Sequence, residues 1–185
     1  MQEKLINSLR ERVAEIAAGT TALRNQGKGV IPKAKEFLKL LDPKKFADCK
    51  TEEQFKALLD KKTIALRETF PGKAKRNWGT ARKVLNLYLR DMLYNRYLCS
   101  HFGFCHLEKW LEVPLDSWMA KGIHHDDESG TLPSWNDTGI KHLNPEVSDK
   151  YQKAAKHIAA KPNNRFPRIH LDIVCWRNIG RQIPN

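Results

Sequence analysis

The chain is short of three things, and each shortage removes a class of protein. It has no apolar run near the ~20 residues that a bilayer crossing requires, so no segment reads as a membrane span. Its opening, MQEKLINSLRERVAEI, carries charges throughout and does not read as a secretion signal. Only four cysteines are present, Cys49, Cys99, Cys105 and Cys175. None forms a CxxC pair, and their spacing fits neither a zinc ribbon nor an iron–sulfur run. Free thiols in a reducing compartment are the expectation. Strand alternation, hairpin dipeptides and internal repeats are missing as well, which leaves a compact all-α fold.

Acidic residues are also scarce. There are 21 of them against 33 lysines and arginines, a net charge of +12 and a pI near 9.6. Such an excess points to a polyanionic partner, most simply nucleic acid. The positive charge is not confined to a tail: it recurs from Arg24 to Arg96 and again at Lys161, Arg165 and Arg168. A solvated basic surface is the plainer alternative. The expected setting is cytoplasmic and nucleoid-associated.

What remains is helical patterning. Leu5, Ile6, Leu9, Val13 and Ile16 recur at helical spacing and predict a helix over 3–18. Residues 19–30 read as a loop, and Pro32 suits the first turn of a helix ending at Leu41. Thr51 and Gln54 form a capping-box signal ahead of Phe55, Leu58 and Leu59. A further helical stretch covers 61–69, and Pro71, Gly72 and the KAKRNWG string make a basic turn. Thr80 can cap the longest helix, with Val84, Leu85, Leu87, Tyr88, Met92, Leu93 and Tyr97 on its apolar face. Asp116 sits at the N-cap of a short helix over 117–122, residues 124–139 are loop-like, and helices follow over 145–160 and 167–179. The length suits one domain spanning 1–185, or two small lobes sharing a core.

Two strings carry the chemistry. EVPLDSWMAKGI (112–123) and FPRIHLDIVCW (166–176) each set a carboxylate, Asp116 or Asp172, in an apolar setting with a tryptophan nearby. A carboxylate is costly to bury without a partner, so two of them point to a pocket. WGTARKVLNLYL (78–89) adds a lysine, Lys83, within a mostly apolar helix. An amine kept neutral there, with Arg82 alongside, can attack a sugar C1′ and form a Schiff base. An ionised carboxylate at a helix N-terminus can stabilise the oxocarbenium charge that develops and help deprotonate the amine.

These residues, in this order, resemble the helix-hairpin-helix DNA glycosylase superfamily. The aspartate after Val113-Pro114-Leu115 and the TARKVLN string are similar to that family's motifs. The long stretch from Lys83 to Asp116, with IHLDIVCW near the C-terminus, looks like the archaeal-type 8-oxoguanine glycosylase branch. The likeness covers 70–123 and 145–180, and residues 1–60 match only weakly. It implies two helical lobes with a cleft between them and a helix-hairpin-helix element at about 61–98. It also implies base excision with strand cleavage by β-elimination, on damaged double-stranded and possibly single-stranded DNA, by a monomer without a cofactor. Lys83 and Asp116 take the catalytic places. Asp172 and Trp176 border the base pocket, and Gln26 offers an acceptor for the N7 proton that distinguishes 8-oxoguanine from guanine. Lys73, Lys75, Arg76 and the amides of Gly79 and Thr80 would hold phosphates.

The chain also departs from the family. FPGKAKRNWGT replaces the usual Leu-Pro-Gly-Val-Gly hairpin, and alignment on TA-x-x-VLN puts the endonuclease III lysine position at Gly79, one turn before Lys83. Lys75 is the second candidate nucleophile. Two other classes stay open: a metal-dependent nuclease built on His124, His125, Asp126 and Asp127 with His142, and a non-catalytic DNA-binding protein. Packing is the competing role for Trp78, Trp118, Trp176 and His170, and pairing with Arg168 for Asp172.

Overall fold

The computed structural model describes residues 1–175, apart from the side chains of 136–138. Trp176 and the end of the expected last helix therefore lie outside the described residues. The described residues are mostly helical, and no strand occurs among them.

The first helix, α1 (Gln2–Ala17), buries Ile6, Val13, Ala14 and Ala17, a stripe at helical spacing. Leu5 and Ile16 were expected inward with them but are exposed, 45% and 56%. They fall at the edges of that stripe. A loop through 18–29 leads to α2 (Val30–Leu40). After the single turn α3 (Lys44–Ala47) comes α4 (Glu52–Thr69), capped by the Thr51 hydroxyl accepting from the Gln54 amide. The capped helix and the separate stretch over 61–69 are one continuous helix. At 18 residues, α4 and not its successor is the longest.

A 3-10 turn at Gly72–Arg76 joins α4 to α5 (Trp78–Tyr94), which packs along α4, α1 and α2. Asn77 stands at the N-cap position of α5, so Thr80 lies inside the first turn and does not cap it. Val84, Leu85, Tyr88, Leu89 and Met92 are fully buried. Tyr97 belongs to the next helix, α6 (Arg96–Phe102), and is exposed.

Two groups of buried apolar side chains result. One runs through α1–α6 and includes Leu38, Phe55 and Tyr88; the other gathers Val113, Met119, Tyr151 and Leu171. The second is built on α7 (Ser117–Asp126), α8 (Trp135–His142) and α9 (Pro145–Ala160). The stretch expected to be loop at 124–139 is thus partly helical at both ends. Trp118 is 47% exposed because the buried face of α7 is Met119, Ala120 and Ile123. Trp78, by contrast, is core.

The start of α5 meets α8 at Gly79. A Cβ there would stand 2.3 Å from the Ile140 carbonyl oxygen and 2.6 Å from Leu143 Cβ. Alanine is the better helix former by about 1 kcal/mol, but overpacking against backbone outweighs that. Gly79→Ala is therefore expected to destabilise the fold by about 1–3 kcal/mol. Urea unfolding would read this directly, and an unchanged or raised midpoint would contradict the close approach.

Candidate active site

Asp116 lies at the end of an irregular but buried segment. Residues 111–115 have no regular secondary structure and are all buried. Buried backbone needs partners, and distant side chains supply them. Gln152 of α9 takes both polar groups of Val113, donating to its carbonyl at 2.8 Å and accepting from its amide at 3.0 Å. Arg168 donates to the carbonyls of Leu111 and Trp110, both at 2.9 Å. Glu112 is gripped by Arg82 of α5 through two contacts, at 2.8 and 2.9 Å, and by Asn86 at 3.2 Å. Arg82 also reaches Asp60 at 2.8 Å and Thr63 at 3.0 Å. Burial pushes the Glu112 carboxyl up, but the adjacent guanidinium wins and holds it below its ordinary value. Arg82, expected beside the Lys83 amine, thus faces away into this network.

The grip on Glu112 sets the register of the next residues on each side. Asp116 caps α7, one oxygen accepting from the amides of Trp118 and Met119, each at 3.0 Å. The other oxygen stands 3.2 Å from Lys83 Nζ, an ion pair with side chains 11% and 22% exposed. The same Nζ donates to the Ala22 carbonyl at 3.2 Å. The sequence-expected pair is therefore in contact, brought together from residues 33 positions apart (83 to 116).

Lys83 and Asp116 open onto a cavity of about 500 Å³, within the ~300–1,000 Å³ usual for small-molecule sites. One wall is a face of α5 carrying Lys83, Leu87, Arg90 and Tyr94, spaced so that they align along the helix. Ile16, Ala17 and Ala22 form another, which explains the exposure of Ile16. Pro114, Asp172 and Ile173 complete it.

Asp172 is buried, and its partner is Arg90, not Arg168. Burial pushes its carboxyl above the ordinary value, against the pull of Arg90. Asp91, on the other side of Arg90, is raised by burial as well. Tyr94 donates toward or accepts from His170 Nδ1 at 2.9 Å, and His170 Nε2 meets Glu108 at 2.8 Å. Burial pushes the Tyr94 phenol up to about 12.

Gln26, Gly79 and Thr80 fall elsewhere than expected. Gln26 is not in the cavity wall; its Oε1 accepts from the Thr80 hydroxyl at 2.6 Å and its amide from there is turned to the Arg24 carbonyl. Gly79 and Thr80 are buried beneath α8, so their amides do not form an open phosphate site. Lys73, Lys75 and Arg76 are exposed on the turn before α5, and Lys75 does not line the cavity. Trp176 lies outside the described residues. Among the described residues no three His, Cys, Asp or Glu side chains are grouped to hold a metal ion. His124 and His125 lie in the last turn of α7, and His125 pairs with Asp126 at 2.8 Å.

Sequence reasoning missed Arg90, Asp91, Tyr94 and the wall from α1. The first three were legible in principle: they sit about two and three turns beyond Lys83 on the same helix face. No helix among the described residues is long and apolar enough to cross a membrane. No protein-family model, curated protein or solved structure matches the chain.

Proposed function

We propose that this protein is a bifunctional DNA glycosylase and AP lyase that removes an oxidised purine, 8-oxoguanine above all, from double-stranded DNA. The observation that carries the reading is the Lys83–Asp116 ion pair at 3.2 Å on the wall of a cavity large enough for a nucleobase. The two groups of buried side chains, with cavity walls drawn from elements of each, support two lobes and a cleft. The α4–turn–α5 unit, with Lys73, Lys75 and Arg76 exposed on its turn, supports a helix-hairpin-helix grip on the phosphate backbone.

In this reading the damaged nucleotide is flipped out of the duplex into the cavity. Lys83 gives a proton to Asp116, and the neutral amine attacks C1′. The C1′–N9 bond breaks and its electron pair leaves with the base. Asp116, fixed in place by the α7 amides, passes that proton to the departing base and, ionised again, stabilises the positive charge on the sugar. A proton then moves from Nζ to O4′ as the sugar ring opens, which gives an iminium between C1′ and Nζ. Loss of a C2′ proton then expels the 3′ phosphate and cuts the strand.

The test is to incubate the protein with duplexes carrying different lesions, in borohydride and EDTA. A covalent protein–DNA band is expected with 8-oxoguanine and with abasic sites. No band with any duplex would overturn the proposal. Stable DNA binding without cleavage would make the chain a non-catalytic DNA-binding protein, and cleavage lost in EDTA would point to a metal nuclease.

A further inference from the structure

The geometry points to Arg90 as the group that holds the departing base: its guanidinium donates to the oxygens of an 8-oxopurine while the Asp172 carboxylate beside it accepts from the ring N–H. This deepens the Schiff-base reading and rests on it. Lys83 and Asp116 act on the sugar, and they leave the other half of the bond that breaks without a partner.

Arg90 follows Lys83 by about two turns of α5, on the same face and in the wall of the same cavity. Its Nε and Nη2 are held by Asp91, at 2.8 and 2.7 Å, and its Nη1 by Asp172. A guanidinium has more N–H donors than these contacts use, and among the described residues one is left on each terminal nitrogen. Side chains flanked by two carboxylates in this way are held rigid. The cavity around them is mainly apolar, where a charge-assisted hydrogen bond is stronger than in water.

The pair offers a donor next to an acceptor. An 8-oxopurine presents the complement: N7 carries a proton and its neighbour C8 carries an oxygen. Guanine has a bare N7 and no C8 oxygen, so the same approach would set lone pairs against the Asp172 carboxylate. Discrimination then arises from one unpaired acceptor, a situation costly in a buried site.

The same contact serves the chemistry. As C1′–Nζ forms and C1′–N9 breaks, the bonding electrons pass to the base and spread to its oxygens. Arg90 stabilises that negative charge where it develops. The proton shed by the amine to Asp116 then neutralises the base.

The alternative is an ion-pair staple joining α5 to the segment after residue 170. Abasic DNA separates the two, because it has a sugar for Lys83 but no base for Arg90. Arg90→Lys retains a cation between the two acids and Arg90→Gln does not. With the full-length protein, both variants are expected to lose 8-oxoguanine excision by about 10²-fold or more. Borohydride trapping on abasic duplex should fall at least tenfold less than excision does, a gap worth about 1.4 kcal/mol or more. Equal losses on both substrates in Arg90→Lys would make Arg90 a staple and overturn the inference, as would no loss on either. If the unaltered protein traps neither duplex, the Schiff-base reading itself has failed. That result cannot be mistaken for a failure at Arg90 alone.

Discussion

Lys83→Gln is expected to abolish the borohydride cross-link on lesion and abasic duplexes alike, and Asp116→Asn to bind lesion DNA while losing ~10²–10⁴ in turnover. The two changes test different parts of one contact. Glutamine removes the only atom that can form an imine at that place in the cavity wall. Asparagine removes a charge and little else: its side-chain oxygen can still accept from the Trp118 and Met119 amides, and asparagine caps helices as well as aspartate does. The fold of Asp116→Asn should therefore survive, and a lost rate can be assigned to chemistry. Single-turnover excision with a parallel binding titration would check both. Undiminished trapping by Lys83→Gln would move the nucleophile to another lysine, and a near-normal rate for Asp116→Asn would take that acid out of the mechanism.

Arg82→Ala should be among the most destabilising substitutions in the chain, by about 3–5 kcal/mol. Arg82 is 3% exposed and Glu112 6%. Removing the cation leaves a buried carboxylate to which, among the described residues, only Asn86 donates. Replacing both members with apolar residues, as in Arg82→Met with Glu112→Leu, should restore much of the loss, because the uncompensated charge goes too. The pair also has a pH signature. Glu112 is held below its ordinary value in the folded chain, so its contribution is complete above an unfolded carboxyl value of about 4.3. It fades as the pH falls through the lower folded value. Urea unfolding of the three proteins between neutral and acid pH measures both effects. A loss below 1 kcal/mol in Arg82→Ala would mean that the network is idle.

What could be read in advance was local. Thr51, Asp116 and Pro145 mark helix starts through side-chain chemistry confined to a few residues, and the helices follow them. The face of α9 carrying Tyr151, Ala155 and Ile158 is a periodicity that needs no partner to be recognised. Trp118 was misjudged because a large aromatic on a short helix reads as core until the opposite face is seen to be full. Gly79 was assigned to phosphate because a glycine at a helix start has two meanings, an open amide or a close neighbour. Only α8, some 60 residues later, decides between them. The buried segment before Asp116 depends on Gln152 and Arg168, whose contacts span 39 and 57 positions. Separations of that size leave no trace in spacing. Lys83 and Asp116 were legible as chemical types; the pairing of Arg90 with Asp172 across 82 positions was not.

The anchoring of Asp116 at the head of α7 divides labour within the site. A carboxylate tied to two main-chain amides has no freedom to swing, whereas a lysine stem can rotate about every one of its methylene bonds. In the proposed reaction, travel of the protein groups that brings amine and sugar together therefore falls to residue 83. In that proposed reaction, adaptation to sugars of different pucker falls to the cation, and constancy of the electric field to the anion.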